Sequence, residues 1–171
     1  GGGASPRPGP PPPAGAPPPP PPPRRPAAGP LTGPAVSVIP GSHDDLLRAV
    51  TLMNVATIGP DGAPQVNPVW FEWDGTHLNF SLTTDRQKYR NVQQEPRVAV
   101  SIVDPANPHR FLEVRGTVVA VEPDDGNRFI DGLARRYLGV ERFPLHEPGD
   151  ERVVIRIRPD HVSQGRSRTG R

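Results

Sequence analysis

Gln65-Val66-Asn67-Pro68-Val69-Trp70-Phe71-Glu72-Trp73-Asp74-Gly75-Thr76-His77-Leu78-Asn79-Phe80-Ser81-Leu82 carries the pattern that decides the fold. Asp74-Gly75 is a strong hairpin signal, because tight hairpin turns need positive φ and glycine adopts it without steric cost. Before the turn, Gln65, Asn67, Val69, Phe71 and Trp73 fall on one face of an extended run, residues 65–73. After it, Leu78, Phe80 and Leu82 share one face of a returning strand, 77–82. Pro64 and Pro68 have no N–H to offer a neighbour, so the first run belongs at a sheet edge or a bulge.

Outward from this hairpin, more strands follow. Residues 51–58 are rich in β-branched and apolar side chains and end at Gly59-Pro60-Asp61-Gly62, which has turn chemistry. Val98, Val100 and Ile102 alternate along 97–103, and 104–108 reads as a loop. Residues 110–121 form a long strand with Leu112, Val114, Val118 and Ala120 on one side, and Gly116 predicts a bulge or bend. In a last strand, 151–158, Val153, Ile155 and Ile157 face inward and Arg152, Arg156 and Arg158 outward. Three short helices are expected. One spans 43–50 with Ser42 as cap, one follows Thr83 and stops before Pro96, and one spans 124–138 and ends at Gly139. Strands and helices do not alternate regularly, so a mainly β fold of about six strands is predicted, a small and mostly antiparallel barrel.

Composition divides the chain of 171 residues into three parts. Residues 1–34 hold 16 of the 27 prolines, seven glycines and no carboxylate. Such a segment buries no core and is expected to be disordered. The folded domain is assigned to 35–162, and 163–171 to a flexible basic tail. Segment 35–160 carries 14 basic and 18 acidic side chains, so the positive net charge of +2 comes from the ends. A nucleic-acid partner is not expected from that balance. There is no cysteine, hence no disulfide framework or zinc-thiolate site. No apolar run reaches the ~18 residues of a membrane span, and the N-terminal stretch lacks a signal-peptide core. A soluble cytoplasmic protein is the expectation.

Chemistry concentrates at the end of the hairpin's second strand. Thr83-Thr84-Asp85-Arg86-Gln87-Lys88-Tyr89-Arg90-Asn91 joins that strand to a helix start and gathers hydroxyls and cations there. Helix amino termini expose unpaired N–H groups, a guanidinium holds phosphate through two N–H groups, and Lys88, the only lysine, adds a point charge. The plainer alternative is a solvated helix start capped by Thr84 or Asp85. Elsewhere the inventory is thin. His43, His77, His109, His146 and His161 are scattered without metal spacing, and Glu113 and Arg115 read as a structural pair. No nucleophile elbow or P-loop is present. A fold without its own acid, base or nucleophile can borrow a cofactor that carries the reaction.

Several ordered segments carry a resemblance. They are residues 52–65 (LMNVATIGPDGAPQ), Asn67-Pro68-Val69-Trp70-Phe71, Arg86-Gln87-Lys88-Tyr89-Arg90-Asn91, Pro96-Arg97-Val98-Ala99, and the run from Asp104 to Gly116. Together these resemble the pyridoxamine-5′-phosphate-oxidase-like split β-barrels, and within them the branch that uses the deazaflavin coenzyme F420. The resemblance implies a six-stranded antiparallel split barrel and a homodimer with cofactor sites at the interface. It implies that Arg86 and Lys88 hold the cofactor phosphate, with Gln87 and Asn91 in the same motif. Ser81, Leu82 and Thr83 would line the phosphate and polyol, and Gln65, Val66, Asn67, Pro68 and Val69 would meet the ring system. FMN is the alternative cofactor. F420 also carries an anionic tail, for which Arg90, Arg110, Arg115 or an arginine of a partner subunit are candidates. The arginine excess over lysine hints at a GC-rich, actinobacterial genome. The implied activity is hydride transfer to an electron-poor small molecule such as an enone, imine or bilin-like system. Trp70, Phe71 and Trp73 are candidates for an apolar substrate wall, and Tyr137 and His109 for a proton donor. A non-catalytic carrier of the cofactor is a third reading.

Overall fold

The computed structural model describes residues 38–165. The expected disorder of 1–34, with its proline runs, and the basic residues beyond Gly165 lie outside the described residues. After a 3-10 turn at Gly41–His43 come α1 (Asp44–Arg48), β1 (Met53–Ile58), β2 (Pro64–Val69), β3 (Glu72–Trp73), β4 (Leu78–Thr83) and α2 (Gln87–Gln94). Then follow β5 (Arg97–Asp104), β6 (Asn107–Pro123), α3 (Arg128–Leu138) and β7 (Arg152–Gly165). All pairings are antiparallel, in the order β2-β1-β5-β6-β7-β4-β3.

The sheet has seven strands rather than six, because the run 65–73 breaks at Trp70-Phe71. Its first part pairs with β1 and its second with β4, at opposite edges of the sheet. In a flat sheet, strands ~4.8 Å apart would set those edges about 29 Å from each other. The chain from Val69 to Glu72 spans at most about 11 Å. The sheet must therefore curl until its edges approach, which makes a barrel with one open seam. Pro64 and Pro68 lie in edge strand β2, where a missing N–H costs nothing.

Val55, Val100, Ile102, Leu112, Val114, Phe80, Ile155 and Ile157 fill the interior. At Gly116 the pairing of β6 with β7 shifts register, and a Cβ there would sit 2.5 Å from the Arg158 carbonyl oxygen. That close approach requires glycine and bends both long strands. The last strand does not end at Arg158; it runs to Gly165 because residues 161–165 pair with Phe111 to Arg115 of β6. Ser42 does not cap α1. It lies inside the 3-10 turn, and its Oγ bonds His43 Nδ1 at 3.0 Å and Gln164 Oε1 at 3.3 Å.

A second, smaller apolar layer stands apart from the main core. Ile130, Leu133 and Ala134 of α3 are buried, as is Val154. Alternation along β4 and β7 puts Leu82 and Val153 in the core, so Ser81, Thr83, Arg152 and Val154 share the opposite face. α3 starts at Arg128 rather than at the expected 124, because a 3-10 turn precedes it; the Asp124 carboxylate accepts from the N–H of Phe129 (2.8 Å) and Ile130 (3.0 Å) in its first turn, and Gly139 ends it with φ 71°.

Candidate functional site

The site begins at the β4–α2 junction. Arg86, in extended conformation, is the residue that precedes the first turn of α2, and no side chain caps that turn. Neither Thr84 nor Asp85 serves as the expected cap. Thr83 Oγ1 donates to the Asp85 carboxylate, which lowers its pKa, and Arg90 donates to the Asp85 carbonyl at 2.9 Å. The first-turn N–H groups therefore have no side-chain acceptor, and the positive end of the helix dipole is uncompensated there. Arg86 is 71% exposed in its side chain, and its Nε donates to Thr83 Oγ1 at 3.3 Å.

Lys88 differs from Arg86. It is 8% exposed, its Nζ lies 5.8 Å from the Phe80 ring centroid, and no carboxylate reaches it among the described residues. Burial first, and the nearby Arg86 charge second, pull its pKa below the ordinary lysine value. A buried cation without a counter-charge is costly, and an anionic ligand relieves that cost.

These groups border a cavity of about 500 Å3. From β2 come Gln65, Asn67 and Val69; from β4 Ser81, Leu82 and Thr83; from α2 and its approach Arg86, Gln87 and Lys88. Phe143 and Arg152 complete it, so the lining holds three cations and no carboxylate. A second, apolar chamber of about 280 Å3 adjoins it. Leu52, Pro68, Trp70, Ile130 and Leu133 line that chamber, while Val69, Ser81, Phe143 and Arg152 border both.

The structure thus gathers nine of the twelve sequence-predicted cofactor residues around one cavity. Of the other three, Pro68 lines the apolar chamber, and Val66 is 63% exposed on the far side of the edge strand. Asn91 is buried beneath the wall. Its amide donates to Thr57 Oγ1 (3.0 Å) and Gln65 Oε1 (3.3 Å) and accepts from Gln87 Nε2 (2.8 Å), tying β1, β2 and α2 together.

Trp70 lines the apolar chamber as expected of a substrate wall. Phe71 does not, because it follows Trp70 at the strand break and points into the main core, fully buried. Trp73 packs against the core too. Tyr137 is no free proton donor. Its hydroxyl donates to the Thr51 carbonyl at 2.8 Å and accepts from the Phe71 N–H at 3.3 Å, and burial raises its pKa. Its ring instead stacks on Trp70, with centroids 5.1 Å apart. His109 is exposed on β6 and borders neither cavity. Arg110 is committed to Asp45 and Asp104, and Arg115 lies 3.7 Å from Glu113, so neither is at the cleft.

Two lining residues escaped sequence reasoning. Arg152 reads as one of three outward arginines on the last strand, yet its side chain is only 9% exposed. Its guanidinium lies 4.7 Å over the Phe143 ring, and its Nε has no hydrogen-bond partner. Among the described residues, Ser81 Oγ is the other buried polar side-chain atom without one. Phe143 sits in a proline-containing loop with no periodic signal.

The model of the pyridoxamine 5′-phosphate oxidase family matches residues 39–165. A solved F420 reductase is 46% identical, covering 73% of this chain and 98% of its own, with a TM-score of 0.67. A putative pyridoxamine 5′-phosphate oxidase from Listeria innocua is 21% identical, with a TM-score of 0.57, covering 72% of this chain and 94% of its own. A conserved hypothetical protein from Mycobacterium tuberculosis is also 21% identical, with a TM-score of 0.60, covering 76% and 86%. The latter two likenesses concern the fold alone. No curated protein sequence gives a match. The family match runs from before α1 to the end of β7, and on that ground the chain belongs to the pyridoxamine 5′-phosphate oxidase family.

Proposed function

We propose that this protein is an oxidoreductase that binds coenzyme F420 in the larger cavity and reduces an electron-poor small molecule such as an enone, imine or bilin-like compound. The observation that carries the reading is the cavity lining, with three cations, no carboxylate and an uncapped helix start. Those donors fit a phosphate group. The 46% identity to an F420 reductase supports the deazaflavin over a flavin.

Thr83, Arg86, Lys88 and the first turn of α2 would hold the phosphate, the backbone of Ser81 and Leu82 would line the polyol, and Gln65, Asn67 and Val69 would meet the ring system. When bound, the coenzyme supplies the hydride that no side chain here can provide. The protein's own part is binding, orientation and exclusion of water. Trp70, held by its stack on Tyr137, and Phe143, edge-on to Trp70 at 5.7 Å, keep the apolar chamber in shape beside the cleft. Asn91 fixes Gln65 and Gln87 from below. A homodimer is part of the proposal. Edge strand β2 leaves Val66 exposed, Leu52 just ahead of its neighbour β1 is exposed too, and a second copy would cover such an edge.

FMN is the second reading, favoured by the family match, because the same corner fits its phosphate. Titrating the full chain with each cofactor by fluorescence separates the two. F420 is expected to bind more tightly; FMN binding with none for F420 would overturn the proposal.

A further inference from the structure

Arg152 is an anomaly that phosphate binding does not absorb. The Arg86–Lys88 corner serves one anion, yet a third cation lies buried at the boundary between the two chambers. Its nearest carboxylate, Asp150, stands 3.8 Å from Nη2 and also accepts from the Glu147 N–H at 3.1 Å. The other arginines on β7 are matched: Arg156 Nε donates to Glu122 at 3.0 Å and Arg158 Nε to Asp160 at 2.9 Å. Arg152 Nε alone among them is orphaned.

The second orphan is on the same patch. Ser81 pairs with Val154 and Thr83 with Arg152, so Ser81 and Arg152 are diagonal neighbours on one face of the sheet. Both border the apolar chamber as well as the cleft. Two buried donors therefore border the mouth of one apolar chamber, and neither atom has a hydrogen-bond partner among the described residues. Leaving both unsatisfied is expensive unless a ligand supplies the acceptor.

We propose that Arg152 and Ser81 form an oxyanion subsite that receives the carboxylate of an acidic acceptor, whose apolar body occupies the chamber between Trp70, Phe143 and Leu133. The proposal rests on the reading that the larger cavity takes the cofactor. It narrows the substrate class from electron-poor small molecules in general to unsaturated acids. The guanidinium matches a carboxylate in geometry as well as charge, while Ser81 Oγ–H supplies a neutral donor beside it.

The test uses the full chain and two isosteric probes, trans-cinnamate and its neutral amide, titrated by ligand-observed NMR with and without F420. Wild type should prefer cinnamate by about tenfold, the effect of one charge-assisted contact. Arg152→Gln should bring the ratio within about twofold, and Ser81→Ala should lower it in part. Should Arg152→Gln melt out, Arg152→Lys serves, with a weakened preference expected because the planar fork is lost. Equal binding of both probes to wild type, or a preference undiminished in these Arg152 variants, overturns the proposal. So does displacement of cinnamate by F420, which would give Arg152 to the cofactor. Because the ratio is read without cofactor, failure of F420 to bind would leave it intact and would count against the cofactor reading only.

Discussion

Arg110 and Arg152 are the same residue in opposite surroundings. Arg110 Nη1 and Nη2 meet Asp45 at 2.9 and 2.6 Å, and Nη1 also meets Asp104 at 3.0 Å. The Ser42 carbonyl accepts from it at 2.9 Å as well. Both terminal nitrogens of that cation are answered by the chain, and the result is a clamp between the first helix and the β5–β6 turn. Arg152 and Lys88 lie at the other region, against aromatic rings; the carboxylate nearest Arg152, Asp150, stands 3.8 Å off without a hydrogen bond, and none reaches Lys88 among the described residues. Saturated cations hold this fold together; unsaturated ones mark where something else is held.

Asn91→Ala should break the comparison most severely, because Asn91 is a saturated group inside the unsaturated region. It leaves Thr57, Gln65 and Gln87 without their partner, at a cost of roughly 2–4 kcal/mol of stability. Denaturant unfolding should show that loss, and the F420 affinity should fall with it as the β2 wall loosens. Lys88→Met should do the reverse. Removing an uncompensated buried charge should leave stability unchanged or raise it by about 1 kcal/mol. A clear loss of stability would mean that Lys88 has a structural role of its own.

Arg110→Ala sharpens the other side. It should lower the melting temperature, since Asp45 and Asp104 lose their partner, and leave cofactor affinity alone. The smallest effects are in pH. Hydrogen bonds from Arg110 to Asp45, and from the Ala106 N–H and then Arg110 to Asp104, hold both carboxyls below the ordinary 3.8. Folded values below unfolded ones contribute stability above pH 3.8 that is lost as pH falls toward the lowered values. The acid limb of unfolding should flatten in Arg110→Ala. Lys88 has the same sign in a higher window, because its folded value is again the lower one. Between its lowered folded value and 10.5, the unfolded chain holds a proton that the folded chain has given up, so this group adds stability as pH rises. Phosphate binding needs the charged amine, so F420 affinity should weaken with rising pH across the same window. Lys88→Arg should remove that dependence.

Much of this was legible in the sequence where the signal is local. The strands near 51–58 and 97–103 announce themselves by alternation, and the Asp74-Gly75 turn by its chemistry. The corner from Ser81 to Lys88 is legible because a strand end and a helix start are neighbours in the chain. The break at Trp70-Phe71 is not visible, since apolar side chains continue through it and only the two pairing partners separate the halves. Ser163 and Gln164 read as a tail because their strand character comes from pairing with Glu113 and Leu112. Arg152, Arg156 and Arg158 share one alternation, and the cover supplied by Phe143 and α3 is what sets Arg152 apart.

The central claim, that unmatched cations hold the ligand while matched ones hold the fold, is tested most directly by one set of F420 titrations on full-length wild type, Lys88→Ala and Arg110→Ala. The account predicts that Lys88→Ala weakens binding by on the order of 1.5–3 kcal/mol, at least about tenfold, while Arg110→Ala binds like wild type. Equal weakening in both variants, or undiminished binding by Lys88→Ala, would contradict it.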